Sequence, residues 1–347
     1  MARTLAEYYA IDYPKCKIDD SFIASWQFLA YSCRISQFIA VPIQIWTGYF
    51  ILKKTPVVMK SVKFPLLTFH VFCSLQDFIM NSLSNPYLFL PSYAYLGVGF
   101  LSFIGIPLLP QVMIMFFSIY CTGAAMTYLF ESRSSLIQNN PFKLERWTTR
   151  LIYYSGNVLL EVVVSLWLVW KIPIDQDAAK LEVLSYMPCP TRLFFTEPTY
   201  VALDSYWADV AIYIIVPILL AISISQVFFF VSCSIVLLYC SKTDTTSSTT
   251  RRLQRNFFIG ILFQTMIPIV LMGLPYAVLT IAINQKHLTQ GMTNIYFIVF
   301  GLHGLMESFA IILVHESYRK AVLGFFGCGK PAKRSSISIL PMGNKST

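Results

Sequence analysis

FGLHGLMESFAIILVHESYR, residues 300–319, decides how the rest of the chain is read. It places His303 and Glu307 four residues apart in a run otherwise made of Phe, Leu, Met, Ala and Ile. Residues i and i+4 share one face of a helix. A chain that keeps two ionisable groups on one face of an apolar helix needs partners for them on neighbouring helices. The stretch is therefore expected to be the last helix of a bundle, with a polar interior stripe.

Composition says where that bundle sits. Of 347 residues, 56% are hydrophobic and only 12% charged, and the mean hydropathy is +0.61. A soluble domain carries about 25% charged residues, so this chain could not cover a large core with so few. The class expected is a polytopic all-α membrane protein. Apolar windows fall at 23–52, 64–84, 95–130, 148–170, 209–240, 256–283 and 291–314. Roughly 20 helical residues cross the hydrocarbon, which makes seven spans. The third window is too long for one simple span and holds Pro107 and Pro110. It reads as a kinked, tilted helix, with a pair of short helices as the alternative.

The basic residues orient the bundle. With the N-terminus outside, the inner loops and tail collect Lys53, Lys54, Lys60 and Lys63, then Arg133, Lys143, Arg146 and Arg150, then Lys242, Arg251, Arg252 and Arg255, and finally six from Arg319 to Lys345. Seven remain outside, and Arg34 lies within the first span. The positive-inside rule then puts the N-terminus out and the C-terminus in. Residues 1–22 form an outer N-terminus, 23–314 the membrane domain, and 315–347 an amphipathic helix and cytoplasmic tail. The net charge of +9 is a topology signal, and no folded basic domain is present to bind nucleic acid.

This topology leaves Cys16 and Cys189 as the outer cysteines, able to pair in an oxidising exterior or to stay free. Such a bond would tie the N-terminus to the 171–208 loop, a candidate lid. Cys33, Cys73, Cys121, Cys233 and Cys240 read as small apolar fillers. Ionisable residues at membrane depth mark function or a specific pairing. They are Arg34, His70, Asp77, Glu161, His303 and Glu307. His70 and Asp77, two turns apart, also share a face. Two readings stand: structural contacts between helices, or a bistable network that rearranges on activation. A metal site fits the ligand types, but no spacing demands it. H-E-x-x-H, G-x-S-x-G and Walker loops are absent, so neither an enzyme nor a cofactor is expected.

Two blocks carry a resemblance. KKTPVVMKSVKFPLLTFHVFCSLQDF at 53–78 and HGLMESFAIILVHESYR at 303–319 resemble the nematode serpentine chemoreceptors of class H. Asn85-Pro86-Tyr87, Pro107 with Gln111, and Phe130-Glu131-Ser132-Arg133 are similar as well. Departures are Met306-Glu307, where small hydroxyl residues are common in that family, and HESYR, without the Pro often found before Tyr-Arg. The resemblance implies a seven-helix G-protein-coupled receptor for environmental chemicals, in the plasma membrane of sensory cilia. Its partners would be a small ligand, a heterotrimeric G protein and an arrestin-type regulator. Glu131 beside Arg133 would hold a closed state until a G protein competes for the Arg. Lys53, Lys60, Arg133, Arg251, Arg252 and Arg255 are the inner-face residues expected to meet it.

Ligand is expected in the outer half of the bundle, lined by Tyr93, Tyr95, Phe100, Phe103, Gln111, Trp207, Tyr213 and Tyr276. The competing expectation is that these aromatics face lipid. The tail segment HESYRKAVLGFF puts Tyr318, Val322, Phe325 and Phe326 on one apolar face, with Cys328 next as a palmitoylation site. A transporter or a ligand-gated odorant channel is the alternative function. Pro110-Gln111 resembles the P-Q pair of small seven-helix transporters, but no second P-Q and no repeat accompanies it.

Overall fold

The computed structural model of the protein describes residues 4–325 except 56, 138–139, 238–258, 261, 264–265 and 268. Arg251, Arg252, Arg255, Cys240, Phe326 and Cys328 lie outside the described residues. After the short helix α1 (Leu5–Ile11), α2 (Trp26–Lys54) begins at Ser25, whose hydroxyl accepts the Phe28 amide. α3 (Lys63–Phe78) runs without interruption into a π-helical turn, Ile79–Ser84. A hairpin follows, β1 (Pro86–Phe89) and β2 (Ala94–Gly97), then the single turn α4 (Phe100–Phe103). The helices α5 (Leu108–Ser135) and α6 (Trp147–Val169) come next.

The long third window is thus neither a kinked helix from residue 95 nor two short ones. Residues 94–97 pair as a strand, and the long helix starts at Leu108. Pro107 is its N-cap and Pro110 falls in its first turn, where no amide is needed for an intrahelical bond. Both prolines mark a start, not a bend.

The 171–204 connection folds into α7 (Gln176–Tyr186), α8 (Leu193–Thr196) and β3 (Tyr200–Val201). β3 extends the hairpin into a three-stranded antiparallel sheet, with Ala94 opposite Val201 and Tyr95 opposite Tyr200. α9 (Ser205–Val210) leads through a π turn into α10 (Val216–Ile235). The last described helices are α11 (Leu274–Asn284), α12 (Gln290–Phe300), α13 (His303–Val314) and α14 (Glu316–Phe325). Among the described residues, five helical runs are long and apolar enough to cross a membrane: 26–54, 108–135, 147–169, 205–235 and 290–314. The run 269–284 is shorter. α3 packs against α2, α5 and α13 and forms the middle of the bundle.

At one end the sheet, α1, α7 and α8 close over the helices as a cap. Tyr87, Phe89, Phe194 and Val201 form its dry centre, each 1% exposed or less. Tyr8 and Tyr13 donate their hydroxyls to the carbonyls of Pro188 and Pro190, at 2.7 and 2.9 Å. Burial in this cap pushes the Tyr13 hydroxyl up to about 12. Cys16 and Cys189 are disulfide-bonded, their Cα atoms 5.4 Å apart. The 171–208 segment is thus a folded lid, fastened to the N-terminus.

That bond closes a sequence separation of 173 residues. Native cross-links are typically worth about 2–4 kcal/mol. Cys16→Ser and Cys189→Ser are expected to lower the unfolding temperature of the purified protein equally, and the double variant no further. Non-reducing peptide mapping should recover the 16–189 cross-link. Unequal losses, or additive ones, would count against the bond.

Candidate functional site

Halfway along the bundle the last long helical run is broken at Gly301-Leu302, between α12 and α13. Side chains of α3 and of the π turn that follows it hold the break open. Asn81, in the π turn, donates its amide to the Gly301 carbonyl at 2.6 Å. One helical turn earlier, Asp77 accepts the backbone amides of Gly304 and Leu305 at 3.0 and 2.9 Å. The first amides of a helix have no intrahelical acceptor and carry partial positive charge. Asp77 therefore caps α13 from a different helix. A side chain on Gly301 would collide with Asn81, and one on Gly304 would meet the Cys73 carbonyl at 2.7 Å and Asp77 at 2.8 Å. Both glycines are there so that α3 can come this close.

The ionisable pairs complete the site. His70 Nδ1 lies 2.8 Å from Glu307 Oε2, and His70 Nε2 lies 2.9 Å from the Gln44 carbonyl of α2. The Gln44 side chain donates to Asp77 Oδ2 at 3.1 Å. His303 Nδ1 approaches Asp77 Oδ1 at 3.4 Å, but neither of its ring nitrogens makes a well-aligned hydrogen bond. His70, Asp77, His303 and Glu307 are each at most 2% exposed. Among the described residues no three His, Cys, Asp or Glu side chains converge as metal ligands.

The geometry constrains the protons. A backbone carbonyl only accepts, so His70 Nε2 must carry hydrogen. One further proton then lies between His70 Nδ1 and Glu307. On the nitrogen it makes an imidazolium–carboxylate pair; on the oxygen it makes two neutral partners. The pair has no net charge either way, which suits a buried site.

The spacings put His70 with Asp77 and His303 with Glu307 on one face of their own helices, and the structure brings the two pairs together. Arg34 and Glu161 do not join them. Arg34 points out of the bundle, where its guanidinium reaches the Val98 carbonyl at 3.4 Å. Glu161 belongs to a separate polar seam between α5, α6 and α10, where Ser223 donates to it at 3.4 Å. In the same seam Gln226 bridges Tyr153 and Asn157 at 2.6 Å on each side. Helical spacing assigns residues to a face of their own helix; it does not say which helix lies opposite. A search confined to ionisable residues passed over Gln44 and Asn81. Their signal was an amide inside an apolar run.

At the end away from the cap, Glu131 is fully buried and ion-pairs with Arg150 of α6 at 3.0 Å. It also accepts hydrogen bonds from Tyr154 and Ser135, at 3.3 and 2.5 Å. The expected restraint of Arg133 by Glu131 is therefore replaced by one on the next helix. Residues two apart on a helix point about 200° apart, at 3.6 residues per turn. Arg133 itself is buried, while Lys53 and Lys60 are exposed. The hydroxyls of Thr55 and Tyr318 meet at 2.8 Å and join α14 to the end of α2.

The eight aromatic and polar residues expected to line a pocket are dispersed. Phe100 and Phe103 are exposed on α4, because the chain turns there instead of continuing a helix. Trp207 packs edge-on to Trp167 under Lys171, and Tyr213 reaches sideways to Asn284 at 3.0 Å. Gln111 is buried but committed to Ser102 and the Ile106 carbonyl, at 2.9 and 2.8 Å. Tyr95 is buried beside Tyr200, its hydroxyl without a hydrogen-bond partner among the described residues. Tyr93 and Tyr276 lie near enough to influence each other electrostatically, as does Tyr296 of α12, which the sequence did not single out. The Tyr276 hydroxyl donates to the Ile212 carbonyl at 2.7 Å.

A family model described as serpentine type 7TM GPCR chemoreceptor Srh matches residues 24–328. Serpentine receptor class H-72 of Caenorhabditis elegans is 34% identical over 326 residues, which cover 93% of each chain.

Proposed function

Because this chain belongs to the Srh family of serpentine seven-transmembrane G-protein-coupled chemoreceptors, we propose that it detects a small environmental molecule and signals to a heterotrimeric G protein. The observation that carries the reading is the buried contact of His70 and Asp77 with the broken helix at His303 and Glu307. A broken helix held by a neutral, proton-sharing pair has two packings available to it. Ligand in the capped half, near Tyr93, Tyr276 and Tyr296, would favour one of them.

In this proposal the capped end faces outward and the chain crosses the plasma membrane seven times, in a sensory cilium. Lys53, Lys60 and Arg133 then face the G protein, together with Arg251, Arg252 and Arg255. The Glu131–Arg150 pair steadies the α5–α6 connection beside them. α14 lies on the inner leaflet: Tyr318 is buried, while Arg319 and Lys320 are exposed. Cys328 would be acylated, and the serine-rich tail beyond it would take phosphates that recruit an arrestin-type regulator.

The test has two stages. Epitope tags on each terminus, stained with and without permeabilisation, should show the N-terminus outside and the C-terminus inside. A G-protein reporter screen over small volatile and water-soluble compounds should then yield a response that Tyr276→Ala or Tyr296→Ala weakens at equal surface level. An N-terminus inside, or ligand-evoked current without any G protein, would reject the receptor reading in favour of a channel.

A further inference from the structure

α6 divides its residues by character. Leu151, Ile152, Leu159, Leu160 and Val163 are exposed, as a lipid-facing side requires. Arg150, Tyr154, Asn157 and Glu161, at steps of four, three and four, share the opposite face. That face meets α5 and α10 and carries the polar seam. Glu161 is half-buried there, and its Oε1 accepts from Ser223 at 3.4 Å. Among the described residues its Oε2 accepts from none, and no Lys, Arg or His stands within ion-pair distance of either oxygen. A carboxylate at membrane depth requires a counter-charge or a proton.

A small cavity of about 10 Å³ lies between the three helices, with this carboxylate in its wall. That is about the room of one water-sized guest. Thr127 of α5, Tyr154, Asn157 and Glu161 of α6, and Ser223 and Gln226 of α10 supply most of its polar lining. Their hydrogens are largely committed. Thr127 donates to the Gly123 carbonyl at 3.1 Å, Tyr154 to Glu131 at 3.3 Å, and Ser223 to Glu161 itself. Asn157 donates one N–H to the Tyr153 carbonyl at 2.8 Å, and Gln226 donates one to Asn157 Oδ1 at 2.6 Å. One N–H is left on each of these amides. Against them stand the remaining lone pairs of the hydroxyl and amide oxygens, and the free oxygen of Glu161. The cavity therefore favours a cation over an anion.

From this we infer that the seam binds a single sodium ion, held by Glu161 together with oxygens of Ser223, Asn157 and Gln226. Hard cations take oxygen ligands. One carboxylate balances one positive charge, so the ion and Glu161 together carry no net charge into the membrane. A divalent ion would leave a charge over, and magnesium would keep several waters for which the cavity has no room. The bound ion joins α6 to α10 at the depth of Glu161. The hydrogen bond from Tyr154 to Glu131 connects that point to the Glu131–Arg150 pair. The site requires only the packing of α5, α6 and α10. It does not depend on the receptor reading.

The experiment uses the full chain in phosphatidylcholine nanodiscs with radiolabelled sodium as the probe, N-methylglucamine chloride holding the ionic strength. Binding should saturate at a single ion per chain. Sodium should also raise the unfolding temperature, since an ion that binds only the folded chain stabilises it. Glu161→Gln keeps the side chain's shape and should weaken binding by roughly 100-fold or more, the loss of one partner of a buried charge pair. Ser223→Ala should weaken it by roughly three- to tenfold. The unfolding temperature of Glu161→Gln should no longer respond to sodium. No saturable binding by the wild type would overturn the proposal and leave Glu161 a protonated group. So would equal binding by the wild type and Glu161→Gln, or displacement by magnesium at lower concentration than by unlabelled sodium. The first and last of these are read on the wild type alone, so the proposal can fail whether or not a variant folds. A silent G-protein reporter would leave the sodium result untouched.

Discussion

Asp77→Asn is expected to cost nearly as much as Asp77→Ala, although it changes one atom. Asp77 Oδ1 accepts the Gly304 amide, and Oδ2 accepts the Leu305 amide and the Gln44 side chain. Whichever way an Asn is turned, its NH₂ faces at least one N–H group. Two donors then confront each other in a site closed to water. Removing one partner of a buried charged contact costs about 3–5 kcal/mol. The expected result is a lower unfolding temperature in detergent for both variants and a fall in the fraction reaching the cell surface. Asn81→Ala should be milder, since it removes one neutral hydrogen bond to the Gly301 carbonyl. An Asp77→Asn protein that unfolds at the wild-type temperature would show that Asp77 does not cap α13 in the membrane.

Glu307→Gln is expected to keep much of the stability that Glu307→Ala loses. A Gln amide can donate to His70 Nδ1 while Nε2–H stays on the Gln44 carbonyl, so the contact survives without the shared proton. Glu307→Ala removes the 2.8 Å partner outright. A double-mutant cycle with His70→Ala should give a coupling energy of about 1–3 kcal/mol in unfolding measurements. Signalling separates the two roles of the pair. Glu307→Gln at normal surface level with altered G-protein output would make the shared proton part of the switch. Unaltered output would leave the pair a purely structural contact. A coupling near zero would mean the two side chains do not meet.

The membrane-helical class and the polar stripe were legible in the sequence, because each depends on counting along one helix. Hydrophobic runs of the right length report spans. Spacings of four and seven report a shared face, which groups His70 with Asp77 and His303 with Glu307, each pair on its own helix. The blocks at 53–78 and 303–319 carried the family resemblance without any knowledge of contacts. Cys16 and Cys189 stood out by compartment alone.

What only the tertiary structure decided is who stands opposite whom. Arg34 and Glu161 carry the same local signal as His70, a charge inside an apolar run, yet one faces outward and the other a separate seam. Glu131 finds Arg150, not its near neighbour Arg133. Pro107 and Pro110 start a helix, because the preceding residues are drawn into a sheet with strand 200–201, more than 100 residues later. The helix break at Gly301 depends on Asn81 and Asp77 arriving from another helix. Periodicity in a chain is a local property, set by one backbone. A partner is set by packing, where the identity of the facing surface is a property of the whole bundle.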